Sequence, residues 1–172
     1  MTAPLFNIVL LNPEIPNNTG TIGRTAAATG CRLHVVHPIG FSMDEKARRR
    51  AGLDYWTHLD VVEHEDWEAF LRTCDPPRLW LYTSGGSTAP WDAPMQRGDW
   101  LLFGRESAGV PESVEQWIDA RWGPEHRVTL PMIDHPRMRS LNLSNAVTAA
   151  IYEGMRQTGG QPGPLFGASS SD

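Results

Sequence analysis

Hydrophobic residues recur along the chain in short runs that alternate with longer stretches of helical periodicity. Short apolar runs rich in β-branched, leucine and aromatic residues are typical of strands buried in a sheet. Because helical stretches separate most of these runs, the pattern predicts an α/β fold with a mostly parallel sheet and flanking helices. The predicted strands cover 6–11, 33–36, 61–64, 79–83, 100–103 and 127–130.

Capping residues and glycines mark the ends of the predicted helices. Ser42 and Glu45 form a capping box, and Gly52 closes the segment that they open. Gly30 follows a stretch of small Ala and Thr residues, which can pack closely against a neighbouring helix. The predicted helices cover 19–29, 42–52, 66–73, 111–117 and 144–157.

The 172 residues fit one domain of ordinary size. After Gln157 the composition turns to Gly, Pro and Ser, which bury too little apolar surface to become ordered. We therefore expect one domain over 1–157 and a disordered tail over 158–172. No apolar stretch approaches the roughly 18 residues of a membrane span, and nothing before Leu5 resembles a signal peptide, so we expect a cytoplasmic protein.

Charge, cysteine and histidine content narrow the possible chemistry. The net charge of −5 argues weakly against nucleic-acid binding through bulk positive charge. Lys46 is the only lysine, so Schiff-base chemistry has almost no candidate. We interpret Cys31 and Cys74 as buried thiols. His34 and His37 would face opposite sides of a strand, so we expect no metal.

The first polar segment with functional potential is 12–20, which follows the first strand. Its two prolines stiffen an extended loop, Asn18 can cap the next helix, and Arg24 lies in the first turns of that helix. Ligands of open α/β sheets bind at the carboxyl ends of the strands, where this loop would lie. A plain connecting loop with a surface arginine is the alternative.

Two later segments also combine small and polar residues. The segment 103–111 (FGRESAGVP) places Glu106 between glycines directly after an apolar strand, which allows close backbone approach to a ligand. The segment 139–145 (RSLNLSN) opens the last helix with more polar side chains than one N-cap needs. Both segments are therefore candidate walls of a ligand site.

Ser107 raises a second hypothesis, a serine hydrolase. Its surroundings resemble the nucleophile elbow G-x-S-x-G, but Arg105 stands where that motif needs glycine. His126 and His135 follow in the order that a triad requires, although the chain is short for that fold. Labelling of Ser107 by a fluorophosphonate probe would support this hypothesis.

Taken in order, the motifs P-E-I-P-N-N-T-G-x-x-x-R, F-G-x-E-x-x-G-x-P and R-S-L-N-L-S-N-A resemble the SPOUT family of S-adenosylmethionine-dependent RNA methyltransferases. The resemblance is closest to its minimal tRNA ribose 2′-O-methyltransferases (TrmL-type), and it covers about residues 6–157, including 49–55. It implies a C-terminal trefoil knot, a homodimer that uses the first and last helices, and methylation of the wobble pyrimidine of certain tRNAs. An RNA- and cofactor-binding protein without catalysis is a third hypothesis.

The resemblance also implies roles for individual residues. Because a guanidinium stays protonated, we interpret Arg24 as a phosphate clamp or weakly assisted proton acceptor, and Glu106 as an alternative acceptor or an orienting group. The loop 131–139 is longer than in minimal members, and Ala108 stands where arginine is common, which bears on the RNA contacts. The implied S-adenosylmethionine contacts are Tyr82, Thr83, Gly104, Leu130 and Ser140, and the implied catalytic and RNA-side residues are Asn18, Arg24, Glu106 and Asn142.

Overall fold

The structure, a computed structural model, describes residues 3–42, 56 and 58–160. Within these residues, one six-stranded sheet consists of β1 (Asn7–Leu11), β2 (Arg32–Val36), β3 (Val61–His64), β4 (Leu79–Tyr82), β5 (Trp100–Phe103) and β6 (Arg127–Val128). All neighbouring strands are parallel, in the order β3-β2-β1-β5-β4-β6. The predicted α/β class with a parallel sheet is confirmed.

Four α-helices flank this sheet in the described part of the chain: α1 (Pro16–Thr29), α2 (Trp67–Cys74), α3 (Glu112–Trp122) and α4 (Leu143–Thr158). Short 3₁₀ helices cover Pro90–Asp92 and Pro124–His126. Local signals define the ends of the helices. The Asp66 carboxylate caps α2 by accepting from the backbone amide of Ala69, and Gly30 ends α1 in a left-handed conformation with φ of 68°.

Two helix boundaries differ from the prediction. Helix α1 begins at Pro16 rather than at 19, because proline suits the first helical position, where no amide hydrogen bond is lost. Asn18 therefore lies inside the first turn, and the prediction that it caps the helix is wrong. Helix α3 continues past 117 because Ile118 is buried against the sheet, and it ends at Gly123. The helix predicted over 42–52 lies outside the described residues except for Ser42.

The two faces of the sheet bury separate apolar clusters, so the fold has three layers. Strand β1 is buried along its whole length, as expected for a central strand covered on both faces. One face packs against α1 and α4 through Ile8, Leu10, Ile22, Val147 and Ile151. The other packs against α2 and α3 through Val9, Leu11, Phe70, Val114 and Ile118.

Asp99 organises a polar network at the amino-terminal edge of the sheet. Its carboxylate accepts two hydrogen bonds from the Arg78 guanidinium, each 2.8 Å long, and one of 2.9 Å from the Trp80 indole. The backbone amide of Gln96 donates a fourth, and the Asp99 side chain is only 6% exposed. This edge is therefore closed by a fully hydrogen-bonded carboxylate.

None of the helices in the described residues is both long and apolar enough to cross a membrane. Helix α4 ends at Gly159, which has φ of 58°, and 161–172 lie outside the described residues. The boundary after 157, the disordered tail and the trefoil knot stay predictions.

Candidate active site

A cavity of about 930 Å³ opens at the carboxyl ends of β4, β5 and β6. Its volume lies in the range of small-molecule sites, roughly 300–1,000 Å³. The order of the strands reverses between β1 and β5, and open α/β sheets place ligands beside such a reversal. The cavity is bounded by the segments 82–85, 103–110, 128–130 and 139–143.

All five residues that the resemblance assigned to the cofactor line this cavity. The rings of Tyr82 and Phe103 stack in the core beside the cavity, with centroids 4.9 Å apart and nearly parallel planes. Burial raises the pKa of the Tyr82 hydroxyl, so Tyr82 stays neutral. Thr83, Gly104 and Leu130 follow at the ends of their strands, and exposed Ser140 lies at the rim. Apolar side chains beside polar backbone groups suit a ligand with an aromatic ring and hydrogen-bonding substituents.

Gly104 is required by the fold of the loop that follows β5. The backbone amides of Arg105 and Gly109 each donate to the carbonyl of the other, at 3.0 and 2.9 Å. A Cβ atom at position 104 would collide with the backbone of Gly109 and Val110. Glycine at position 104 therefore allows the backbone of the same loop, at Gly109 and Val110, to pack against it. The sequence had suggested only that this glycine allows a ligand to come close.

Glu106 joins the loop after β5 to the loop after β1. One of its carboxylate oxygens accepts from the Asn18 side-chain amide at 3.0 Å and from the Ile15 backbone amide at 3.2 Å. The other accepts from the backbone amide of Glu14 at 2.8 Å. Three donors hold one carboxylate at the edge of the cavity, so its position and orientation are set by the fold.

Asn18 extends this network to the start of α4. The buried Asn18 side-chain oxygen accepts a 3.0 Å hydrogen bond from the Asn142 amide. The Asn142 oxygen caps α4 by accepting from the backbone amides of Ser144 and Asn145 and from the Ser144 hydroxyl. Three predicted site residues, Glu106, Asn18 and Asn142, thus form one hydrogen-bonded chain that connects three segments distant in sequence.

Glu14 and Ser107 add a second link between the same two loops. The Ser107 hydroxyl and backbone amide donate to the two Glu14 carboxylate oxygens at 2.8 and 2.9 Å. These hydrogen bonds, together with a smaller effect of the Arg105 charge, hold the pKa of Glu14 below its usual value. Sequence reasoning missed this pair, and only the position of Glu14 within the first polar segment could have indicated it.

This link also argues against the hydrolase hypothesis. The Ser107 hydroxyl donates to a carboxylate and not to an imidazole. His126 Nδ1 lies 2.8 Å from the carbonyl oxygen of Leu79, and His135 Nδ1 accepts from the backbone amide of Arg137. The two histidines that a triad would have used therefore make their hydrogen bonds elsewhere.

Arg24 is placed differently from the other predicted residues. It is exposed on α1 and is not among the residues that line the cavity.

Arg139, Ser84 and Gly85 do line the cavity, although they were not assigned a role from the sequence. The run Ser84-Gly85-Gly86 directly after a strand was an available signal, because glycines permit close approach. A Cβ at position 86 would meet the backbone of β6.

The chain matches the sequence profile of the SpoU rRNA methylase family over residues 5–152. It is also similar to a tRNA (cytidine(34)-2'-O)-methyltransferase of Escherichia coli, with 46% identity over 162 residues. The match covers 94% of this chain and 99% of that protein.

Two solved structures share the fold. One, described as giving insights into the 2-OH methylation of C/U34 on tRNA, has 41% identity and a TM-score of 0.76. The match covers 88% of this chain and 95% of that one. The other is the SpoU methyltransferase AviRb from Streptomyces viridochromogenes in complex with AdoMet, with 26% identity and a TM-score of 0.70. That match covers 91% of this chain and 62% of AviRb.

Proposed function

Because the chain belongs to the SpoU rRNA methylase family, we propose that it transfers a methyl group from S-adenosylmethionine to the ribose 2′-hydroxyl of a wobble pyrimidine in tRNA. The observation that carries the proposal is the cavity at the carboxyl edge, which brings the Glu106–Asn18–Asn142 chain together with the residues that the resemblance assigned to the cofactor. The named substrate of the Escherichia coli relative supports tRNA as the acceptor, and the AdoMet complex of AviRb supports the donor.

The residues of the cavity fit S-adenosylmethionine. Tyr82, Phe103 and Leu130 supply an apolar surface for the adenine, and Thr83 and Gly104 bring backbone groups to its edge. Ser140 lies on the rim, where a polar substituent of the ligand would reach it. When bound, S-adenosylmethionine supplies an electrophilic methyl carbon on a sulfonium.

The polar chain positions the acceptor. Both Glu106 oxygens already accept hydrogen bonds, so we assign Glu106 the orienting role and not that of proton acceptor. It fixes Asn18, whose oxygen fixes the Asn142 amide, and the second hydrogen of that amide remains to donate to a ligand. Holding two reactants in contact can supply much of the rate of an in-line transfer.

Arg24 and Arg139 would contact the RNA backbone. Arg139 lies at the rim of the cavity, and guanidinium groups bind phosphate through paired hydrogen bonds. Arg24 lies on α1, outside the cavity of its own chain, so we propose that it serves the site of a second copy. Helices α1 and α4 pack side by side, with the Thr25 and Thr148 hydroxyls 3.3 Å apart. Their outer face carries Tyr152, which is 55% exposed and suits a homodimer interface.

The central test is a transfer assay with labelled S-adenosylmethionine and unmodified tRNA transcripts, followed by alkaline hydrolysis. A 2′-O-methyl group blocks cleavage at its own phosphodiester, so we expect one resistant position at the wobble nucleotide. A transcript with a 2′-deoxy wobble nucleotide is the matched control and should accept no label. Absence of transfer to any tRNA would overturn the proposal. Cofactor binding without transfer would favour a non-catalytic RNA-binding protein, and fluorophosphonate labelling of Ser107 would favour a hydrolase.

Subunit mixing tests whether Arg24 acts across a dimer. We expect Arg24→Ala and Asn142→Ala chains each to lose transfer activity. If Arg24 acts on the partner's site, mixed dimers contain one intact site, and random mixing restores about a quarter of wild-type activity. If both residues act within one chain, mixing restores none. Sedimentation analysis of the wild-type chain gives the oligomeric state independently.

A protein that acts on tRNA in this way would work in the cytoplasm, and nothing in the proposal requires a membrane.

A further inference from the structure

Three side chains with metal-binding atoms cluster on the sheet face that α2 and α3 cover. His34 lies on β2, His64 ends β3, and Cys74 is the last residue of α2. The cluster connects two adjacent strands with the helix that follows them. None of these three residues lines the cavity of the proposed active site, so the methyl-transfer chemistry does not account for them.

The strand register brings the two histidines together. Val36 pairs with His64 and His34 pairs with Val62, so the histidines occupy diagonal positions on one face of the sheet. His34 Nδ1 lies 2.9 Å from His64 Nε2, and Cys74 Sγ lies 3.9 and 4.0 Å from those same atoms. The three potential ligand atoms therefore all lie within 4.8 Å of one another.

These separations are close to those of a tetrahedral zinc site. Zn–N bonds of about 2.0–2.1 Å and Zn–S bonds of about 2.3 Å place ligand atoms roughly 3.4 Å (N to N) and 3.6 Å (N to S) apart. The nitrogen pair would have to separate by about 0.5 Å and the sulfur to approach by about 0.4 Å, which small side-chain rotations can supply.

The surroundings favour a neutral, buried ligand set. His34 is 2% exposed and His64 5% exposed, and the Phe70 ring packs against the edges of both. Burial disfavours the charged form of both imidazoles, so each ring is neutral and has one nitrogen with a lone pair. Burial raises the pKa of the Cys74 thiol, so an ion binding there must displace its proton.

Hydrogen bonding within the cluster is incomplete. The two imidazoles share one hydrogen bond, and His34 Nε2 is buried with no hydrogen-bond partner among the described residues. Both histidines are buried, whereas Cys74 at the end of α2 is partly exposed, so the prediction of a buried thiol is wrong for Cys74.

We propose that His34 Nδ1, His64 Nε2 and Cys74 Sγ bind one Zn²⁺ or a similar borderline divalent transition-metal ion, with water in the fourth position. Imidazole and thiolate donors select such ions over Mg²⁺ and Ca²⁺, which prefer oxygen. Binding forms one M–S and two M–N bonds and breaks the histidine–histidine hydrogen bond, whose proton moves to the other nitrogen of the same ring, and the Cys74 thiol proton is released to solvent. The ion would tie β2, β3 and α2 together and stabilise the folded chain by mass action.

The test is titration of the tag-free full-length chain, freed of metal by a chelator, with Co²⁺ and then Zn²⁺. We expect one equivalent of Co²⁺ to produce thiolate-to-cobalt charge-transfer absorption and the intense visible bands of a tetrahedral site. Zn²⁺ should abolish both signals and release about one proton per chain. A wild-type chain that gives no thiolate absorption would overturn the proposal without the need for any variant.

Variants test which atoms bind. Cys74→Ser should abolish the charge-transfer absorption, and His64→Gln should weaken binding by more than about 100-fold, because loss of a ligand costs more than loss of an outer-shell partner. Cys31→Ser and His37→Gln are the matched controls, since Cys31 lies in the opposite core and His37 pairs with Glu63. Circular dichroism checks that each variant is folded. Equal binding by the wild-type and Cys74→Ser chains would exclude the site, and none of these readouts depends on methyl transfer.

Discussion

At the amino-terminal edge of the sheet, Asp99 accepts four hydrogen bonds in a closed environment, whereas at the carboxyl edge Glu106 accepts three beside an open cavity. Both carboxylates bind groups from segments outside their own strand. Asp99 is buried and is not among the residues that line the cavity. Glu106 instead fixes Asn18, which lines the cavity. The number of hydrogen bonds that a carboxylate accepts therefore does not indicate its role. Whether the carboxylate lies in a closed environment or beside a cavity does.

The largest expected effect is on stability at the amino-terminal edge. Asp99→Ala leaves the buried Trp80 indole and the partly buried Arg78 guanidinium without their acceptor, so we expect the free energy of unfolding to fall by about 2–4 kcal/mol. Urea denaturation followed by circular dichroism measures it. Asp60→Ala is the control, because it breaks an exposed pair with Arg32 and should cost under about 1 kcal/mol. Equal losses in the two variants would contradict the contrast between the edges.

Glu106→Gln should reduce methyl transfer strongly and stability only slightly, the reverse of what is expected for the amino-terminal edge. The amide cannot accept from all three donors, so Asn18 and the loop before α1 shift relative to the cavity. We expect methyl transfer to fall by about 100-fold, the scale of a misplacement of about 1 Å in an active site, while the free energy of unfolding changes by under about 1 kcal/mol. Steady-state kinetics with Glu112→Gln as a surface control checks this. A variant that is destabilised as strongly as Asp99→Ala would show that Glu106 is structural.

Ser107→Ala should have a smaller effect on transfer. The hydroxyl donor to Glu14 is lost, but the Ser107 backbone amide still donates. We expect the rate to fall by less than about tenfold, consistent with loss of one exposed hydrogen bond to a charged group. Complete loss of transfer in a folded Ser107→Ala chain would show that the hydroxyl does more than hold Glu14.

The smallest effect is the pH response of the same contact. The pKa of Glu14 is lowered in the folded state, chiefly by the Ser107 hydroxyl. Its stabilising contribution is therefore present above the usual glutamate pKa and disappears as the pH falls through the lowered folded value. Carboxyl-carbon NMR titration should show the Glu14 pKa rising toward its usual value in Ser107→Ala. Ser87→Ala, whose hydroxyl donates to the Pro124 carbonyl, should leave it unchanged.

The sequence predicted the strands to within two residues at each end, because a parallel strand covered on both faces is a continuous apolar run. It also predicted the carboxyl-edge site, because loops that follow parallel strands all emerge at that edge. The resemblance to a family of RNA methyltransferases is confirmed by the family match. The start of α1 was predicted too late, because Pro16 and Asn17 were assigned to the loop.

Contacts between distant segments were beyond sequence reasoning. The Glu14–Ser107 link joins residues 93 positions apart, and the His34–His64 contact joins residues 30 positions apart. Neither pair forms a motif, since nothing local in the chain relates the two partners.

What the sequence determined by itself is therefore local and periodic: which runs enter the sheet, which helices flank them, and which loops carry polar groups. Only the tertiary structure decided that Glu106, Asn18 and Asn142 form one chain of hydrogen bonds, and that Arg24 lies outside the cavity. The physical reason is that the spacing of apolar residues reflects burial, and this spacing can be read from each segment separately. Hydrogen-bond partnership depends on strand order and register, which only the packed sheet defines.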